Sequence, residues 1–168
     1  MKKLVIGLFF LGVTAPMFAQ VVQTEQLEEV VLTAVNYKYV STMGVTNEAL
    51  PVQTLRRKAA NFDIQNSDLY QDDYDMYHVS FFIPDGKMVV AYDKEGKIMR
   101  TIEKFKNIAL PEAVRDAVTE RFPGWTLTED QYKVTYHDKK GVNKKYKIRL
   151  ENGDKMLRVK LDEEGNFQ

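Results

Sequence analysis

Apolar residues recur at every second position in several stretches of this chain, and at every third or fourth position in two others. Tyr77, Val79, Phe81 and Ile83 alternate with His78, Ser80 and Phe82, and Met88, Val90 and Tyr92 alternate with Val89 and Ala91. Period-two patterning of this kind marks strands with one buried face. Pro84-Asp85-Gly86 between the two stretches has turn chemistry, and Ile98 to Phe105 reads as a further strand. Ahead of them, Val52, Leu55, Ala59 and Phe62 fall on one stripe at helical spacing, which predicts a helix over residues 47–62. Pro51 suits the first helical position, and Arg56, Arg57 and Lys58 near the other end read as a solvated basic run that complements the helix dipole.

The second half repeats this order. Val114, Ala117, Val118 and Phe122 make a helical stripe opened by Pro111 and Glu112 and stopped by Pro123-Gly124, after which Trp125 is expected as a packing residue. Tyr132, Val134 and Tyr136 share one side of a strand. Residues 137–141 form a loop, Tyr146, Ile148 and Leu150 alternate with Lys145, Lys147 and Arg149, and Leu157, Val159 and Leu161 alternate with Arg158 and Lys160. Asn152-Gly153 between these two strands is a strong hairpin signal. Ala49-Leu50-Pro51 returns as Ala109-Leu110-Pro111, sixty residues later. Tyr77 and Asp93 return as Tyr146 and Asp162, at an offset of sixty-nine, so the second copy carries about nine extra residues between helix and aligned strand. Helices followed by strands on tight turns predict an α+β fold with antiparallel strands, built from two tandem α-β-β-β repeats.

The chain opens with Met1-Lys2-Lys3, an apolar run from Leu4 to Val13, and Ala15-Pro16-Met17-Phe18-Ala19, which together have the three parts of a secretory signal peptide. The run is too short to span a bilayer, which takes roughly 20 residues. Residues 1–19 are therefore expected to be a cleaved signal, 20–46 an N-terminal strand segment, 47–106 the first repeat and 107–168 the second. Glu28 to Met43, rich in β-branched and aromatic residues, is expected to be extended. Within it Leu27 to Ala34 resembles the segment that opens the plug of TonB-dependent transporters, but their barrel needs a chain several times longer, and the strand reading is kept.

Composition narrows the function classes. The chain carries 24 Lys and Arg against 24 Asp and Glu and has no cysteine. Loss of Lys2 and Lys3 would leave a charge of about minus two, with no general pull on nucleic acid or anionic lipid. Thiol chemistry and cysteine metal sites are excluded, and stability must come from an apolar core. His78 and His137 are the only histidines. No nucleophile elbow, phosphate-cradling loop or zinc-protease helix is present, so the chain is not expected to be an enzyme or to need a cofactor.

The repeated Ala-Leu-Pro, amphipathic helix and closing Tyr-Asp-x-x-Gly or Leu-Asp-x-x-Gly, behind a signal peptide, resemble the PepSY-like, β-lactamase-inhibitor-like exported proteins. The likeness runs from about Leu50 to Phe167. It implies one common antiparallel sheet with two helices packed on one face, a periplasmic or secreted location, and a non-catalytic, inhibitor-like module for a protein or peptide of the cell envelope. The inhibitors carry disulfides and this chain carries none, so no contact residue transfers from them. With both helices on one face, the alternation sends His78, Ser80, Phe82, Val89 and Ala91 of the first copy to the other face, together with Lys147, Arg149, Glu151, Arg158 and Lys160 of the second. These are the binding-surface candidates, one half modestly apolar and the other basic.

Three further expectations complete this reading. Asp68, Asp72, Asp73 and Asp75 are hard oxygen donors suited to calcium, but they lack the EF-hand glycine and closing glutamate and read better as a solvated acidic loop. Lys133, Lys139, Lys140, Lys144, Lys145 and Lys147 gather in the second copy's insertion as a basic hairpin, whose attraction to the acidic loop would give weak, salt-sensitive homo-oligomers. The alternative to a protein-binding module is a periplasmic carrier of a small ligand or metal ion. Neither nucleic-acid binding nor membrane insertion after signal cleavage is expected.

Overall fold

The computed structural model of the protein describes residues 36–44 and 48–168. The expected signal peptide, the transporter-like segment and most of the N-terminal strand lie outside these residues. The described elements run α1 (Tyr37–Met43), α2 (Leu50–Ala60), β1 (Met76–Ile83), β2 (Gly86–Asp93), β3 (Ile98–Lys106), α3 (Glu112–Arg121), β4 (Thr126–His137), β5 (Gly141–Asn152) and β6 (Lys155–Leu161). The six strands form one sheet in sequence order, β1-β2-β3-β4-β5-β6, with every neighbouring pair antiparallel. The fold is α+β, with helices on one face of that sheet, as the two-period pattern requires.

The duplication is visible in the hydrogen-bonded register. Tyr77 pairs with Tyr92 and Ile83 with Gly86 in the first copy. In the second, Tyr146 pairs with Leu161 and Asn152 with Lys155, each residue sixty-nine positions further on. The closing turns match as well. The carboxylate of Asp93 accepts from the amides of Glu95 and Lys97, and that of Asp162 from the amides of Glu164 and Asn166. Gly96 and Gly165 both take the left-handed conformation that each turn needs. β4 lies between α3 and β5, where the first copy has only the acidic turns of residues 63–75 between α2 and β1, so the extra residues of the second copy give a strand where the first copy has none.

The core lies between sheet and helices. Val52, Leu55, Ala59 and Ala60 of α2 and Val114 and Val118 of α3 pack with Tyr77, Val79 and Phe81 of β1, Met88, Val90 and Tyr92 of β2, and Tyr132, Val134 and Tyr136 of β4. Tyr132 also stacks on Tyr146, with centroids 4.5 Å apart. Trp125 is half-buried edge-on to Phe122, a packing role as expected.

One element differs in kind from its expectation. Residues 37–43, expected as strand, are the helix α1. Tyr39 and Met43, four residues apart, are both buried, and the Tyr39 ring meets Tyr136 edge-on at 5.1 Å. Gly44 ends the helix in the left-handed conformation. The β-branched and aromatic residues that suggested a strand are outweighed by the contacts Tyr39 and Met43 gain only at helical spacing. Just before α1, buried Asn36 donates to the carbonyls of Ala60 and Gly96 and accepts from the amide of Ile98. One side chain thus ties together the start of α1, the end of α2 and the β2–β3 turn.

Candidate functional site

The sheet has two charged regions, and only one is open. The closed one centres on Arg56 of α2, which is 1% exposed. Its Nε donates to Glu103 Oε2 at 2.9 Å and its Nη1 lies 3.0 Å from Glu48 Oε1. Fully buried Glu103 also accepts from Tyr39 and Thr101, while Glu48 accepts from Tyr132 and pairs with Lys144, which bridges to Glu163. Burial works against the Arg56 charge, but Glu103 and Glu48 outweigh it and hold the guanidinium charged. Arg56 therefore does not belong to a solvated basic run. It completes the helical stripe 52-55-56-59-60, one turn before Ala60, and only its charge hid that position. Lys144 likewise leaves the expected hairpin cluster, because it pairs with Val134 and so faces the core.

The opposite face is covered by no element among the described residues. Cross-strand register assembles it into rows. His78, Ala91, Arg100 and His137 form one, and Ser80, Val89, Ile102, Thr135 and Asn143 the next. A third runs Phe82, Lys87, Lys104, Lys133 and Lys145, placing four lysines side by side on β2, β3, β4 and β5. A fourth runs Lys106, Gln131, Lys147 and Lys160, and a fifth Glu129, Arg149 and Arg158. The last two rows line an open cleft of about 510 Å³. Neighbouring residues within a row are about 5 Å apart, and successive rows about 7 Å.

The predicted surface residues all lie on this face, with unequal exposure. Phe82 is 62% exposed, with Lys87 Nζ 5.3 Å from its ring centroid. His78, Ser80, Lys147, Arg158 and Lys160 are exposed, whereas Val89 is half-buried. Ala91 is buried between its row neighbours His78 and Arg100, too short to reach solvent, so it offers a partner little surface. Arg149 is held by Glu151 at 2.6 Å and Glu129 at 3.4 Å, and these carboxylates, Glu151 foremost, favour its charged form. The pattern missed Lys87, Lys104, Lys106 and Ile102, and it gave Lys133 to the basic hairpin instead of to this face. A signal was present, since each sits at an outward position of its strand. Their alignment into rows depends on the β3–β4 pairing, which joins the two copies and which no repeat offset specifies.

Among the described residues no carboxylate pairs with any lysine of the third and fourth rows. At Lys133 partial burial, then Lys147, Lys104 and Lys160, disfavour the charged form. The basic region is therefore wider than the second copy, where it was expected. It reaches β2, and an evenly balanced composition conceals it because the acidic residues other than Glu129 and Glu151 lie off these rows. Asp68, Asp72, Asp73 and Asp75 are all exposed on the turns before β1. Among the described residues no three His, Asp or Glu side chains come together to hold a metal ion. His78 and His137 share a row three strands apart, roughly 14 Å from one another, too far for joint proton transfer.

No family model matches the chain, and no curated protein does. Among solved structures it is similar to a BLIP-like protein from Bacteroides fragilis NCTC 9343, at 17% identity and a TM-score of 0.32, over 58% of this chain and 68% of that one. A superposition this loose transfers no residue roles.

Proposed function

We propose that the protein is an exported, non-catalytic binding module of the PepSY-like and β-lactamase-inhibitor-like kind, which takes a protein or peptide of the cell envelope on the open face of its sheet. The observation that carries this reading is the face itself. It is broad, left uncovered by α1, α2 and α3, and offers exposed Phe82 and Ile102 beside rows of unpaired cations. Antiparallel sheets tolerate one wetted face, but a wetted face needs neither a 62% exposed phenylalanine nor like charges set side by side. A small-ligand carrier would be favoured by an enclosed pocket. The cleft on this face and the one beside Glu48, Leu110 and Lys144 are both open to solvent.

The test is capture from the envelope fraction with the mature protein, followed by calorimetry of the purified captured protein against wild type and against Phe82→Ser/Ile102→Ser. Saturable binding to wild type, weakened at least tenfold in the folded double variant, is the expected result. Binding indifferent to both substitutions would overturn the reading.

A further inference from the structure

The lysine rows say what chemistry the open face accepts. Like charges directly opposite one another destabilise a sheet, and Lys87, Lys104, Lys133 and Lys145 are opposed in this way at three successive strand junctions. Lys106, Lys147 and Lys160 reinforce them one row away, and no carboxylate of the described residues answers either row. The cations are lysines, compact and strongly hydrated charges without the bidentate fork that suits phosphate. The strip has an aromatic residue only at its Phe82 end, so it lacks the repeated stacking platforms that single-stranded nucleic acid uses.

We propose that these rows are a docking strip for an acidic polypeptide segment whose carboxylates recur about every 5 Å, the spacing of Glu or Asp at i and i+4 along a helix. Four lysines in a row span about 15 Å at sheet spacing, which about ten residues of helix cover. An apolar side chain at one end of that segment meets Phe82, the residue at the β1 end of the row. This rests on the binding-module reading and adds the chemistry of the partner.

The probe is a fluorescein-labelled helical peptide with Glu at every fourth position, alanine and glutamine elsewhere and one terminal leucine. Its comparison is a scrambled peptide of the same composition. Anisotropy is read with the mature protein, with Lys104→Gln/Lys133→Gln, and with Lys139→Gln/Lys140→Gln, a loop variant of equal charge change. Circular dichroism checks that each is folded. We expect the striped peptide to bind at least tenfold tighter than the scrambled one, to lose about tenfold in the Lys104/Lys133 variant, and to lose less than twofold in the loop variant. Equal loss in both variants, or equal affinity for both peptides, would overturn the strip and leave only net attraction, with the broader module untouched. Sedimentation showing salt-sensitive self-association of the wild type, abolished by Lys104→Gln/Lys133→Gln, would also overturn it, by giving the strip to the acidic turns of a second copy. Preference for vesicles of anionic lipid over the striped peptide would give it to a membrane surface instead.

Discussion

Glu103 and Lys104 are neighbours in sequence and occupy opposite regimes. Glu103 turns toward the helices, is fully buried, and accepts from Arg56, Tyr39 and Thr101. Lys104 turns outward between Lys87 and Lys133, with no carboxylate opposite it. On the inner face Arg56, Glu103, Glu48 and Lys144 are matched to one another, because an uncompensated charge out of water costs several kcal/mol. On the outer face water screens the repulsion, so a row of lysines is tolerated at modest cost. Tolerance alone does not explain it. A surface indifferent to function would gain from mixing signs, as Arg149 does with Glu129 and Glu151, and the third and fourth rows have not done so.

Four predictions bear on the contrast, and the largest concerns the inner face. Arg56→Met strands Glu103 and Glu48 and should cost ~3–5 kcal/mol in urea unfolding, much of it recovered in Arg56→Met/Glu103→Leu. A loss below about 1 kcal/mol would mean that the inner charges are not a matched set. Next is Asn36→Ala, which removes three hydrogen bonds, two of them buried, and should cost ~2 kcal/mol by the same assay.

The third prediction is pH-dependent. Asp130 is nearly buried, and burial raises the pKa of its carboxyl despite the amide of Ile108. A folded-state pKa above the unfolded value means the protonated form is the better accommodated. Asp130 then adds stability at low pH that fades as pH rises through the folded pKa. Asp130→Asn should accordingly melt higher than wild type near neutrality, and the gap should close in acid; a gap that widens in acid would refute the assignment. The smallest effect belongs to the outer face. Lys133→Gln relieves opposition from Lys104 and Lys145 and should stabilise by a few tenths of a kcal/mol, about a degree in melting temperature, less so in high salt. Destabilisation there would erase the asymmetry between the faces.

Much of the fold was legible because side-chain period is a local property. Alternation found the faces of β1, β2, β4, β5 and β6, and the offset of sixty-nine residues located the matching hairpins to the residue. Helical stripes found α2 and α3 within a few residues of their ends. The reading failed where a residue's surroundings opposed its type. Arg56 looked solvated because it is charged, and residues 37–43 looked extended because they are bulky. In both cases the deciding contacts, Glu103 and Tyr136, lie far along the chain. The binding-surface candidates were half legible. Phe82, Lys147, Arg158 and Lys160 followed from alternation, whereas Lys87, Lys104 and Lys133 became one feature only through pairing.

The sequence by itself determined the period of every described element but α1, the duplication, the absence of thiol chemistry and the direction in which most side chains point, since these depend on neighbours a few positions away. Tertiary structure alone decided that β3 and β4 lie side by side, joining two copies into one sheet. It alone placed a guanidinium in the core and gathered scattered lysines into a strip, because Coulomb interactions and burial depend on distance in space, and residues 87, 104, 133 and 145 become neighbours only when the sheet closes.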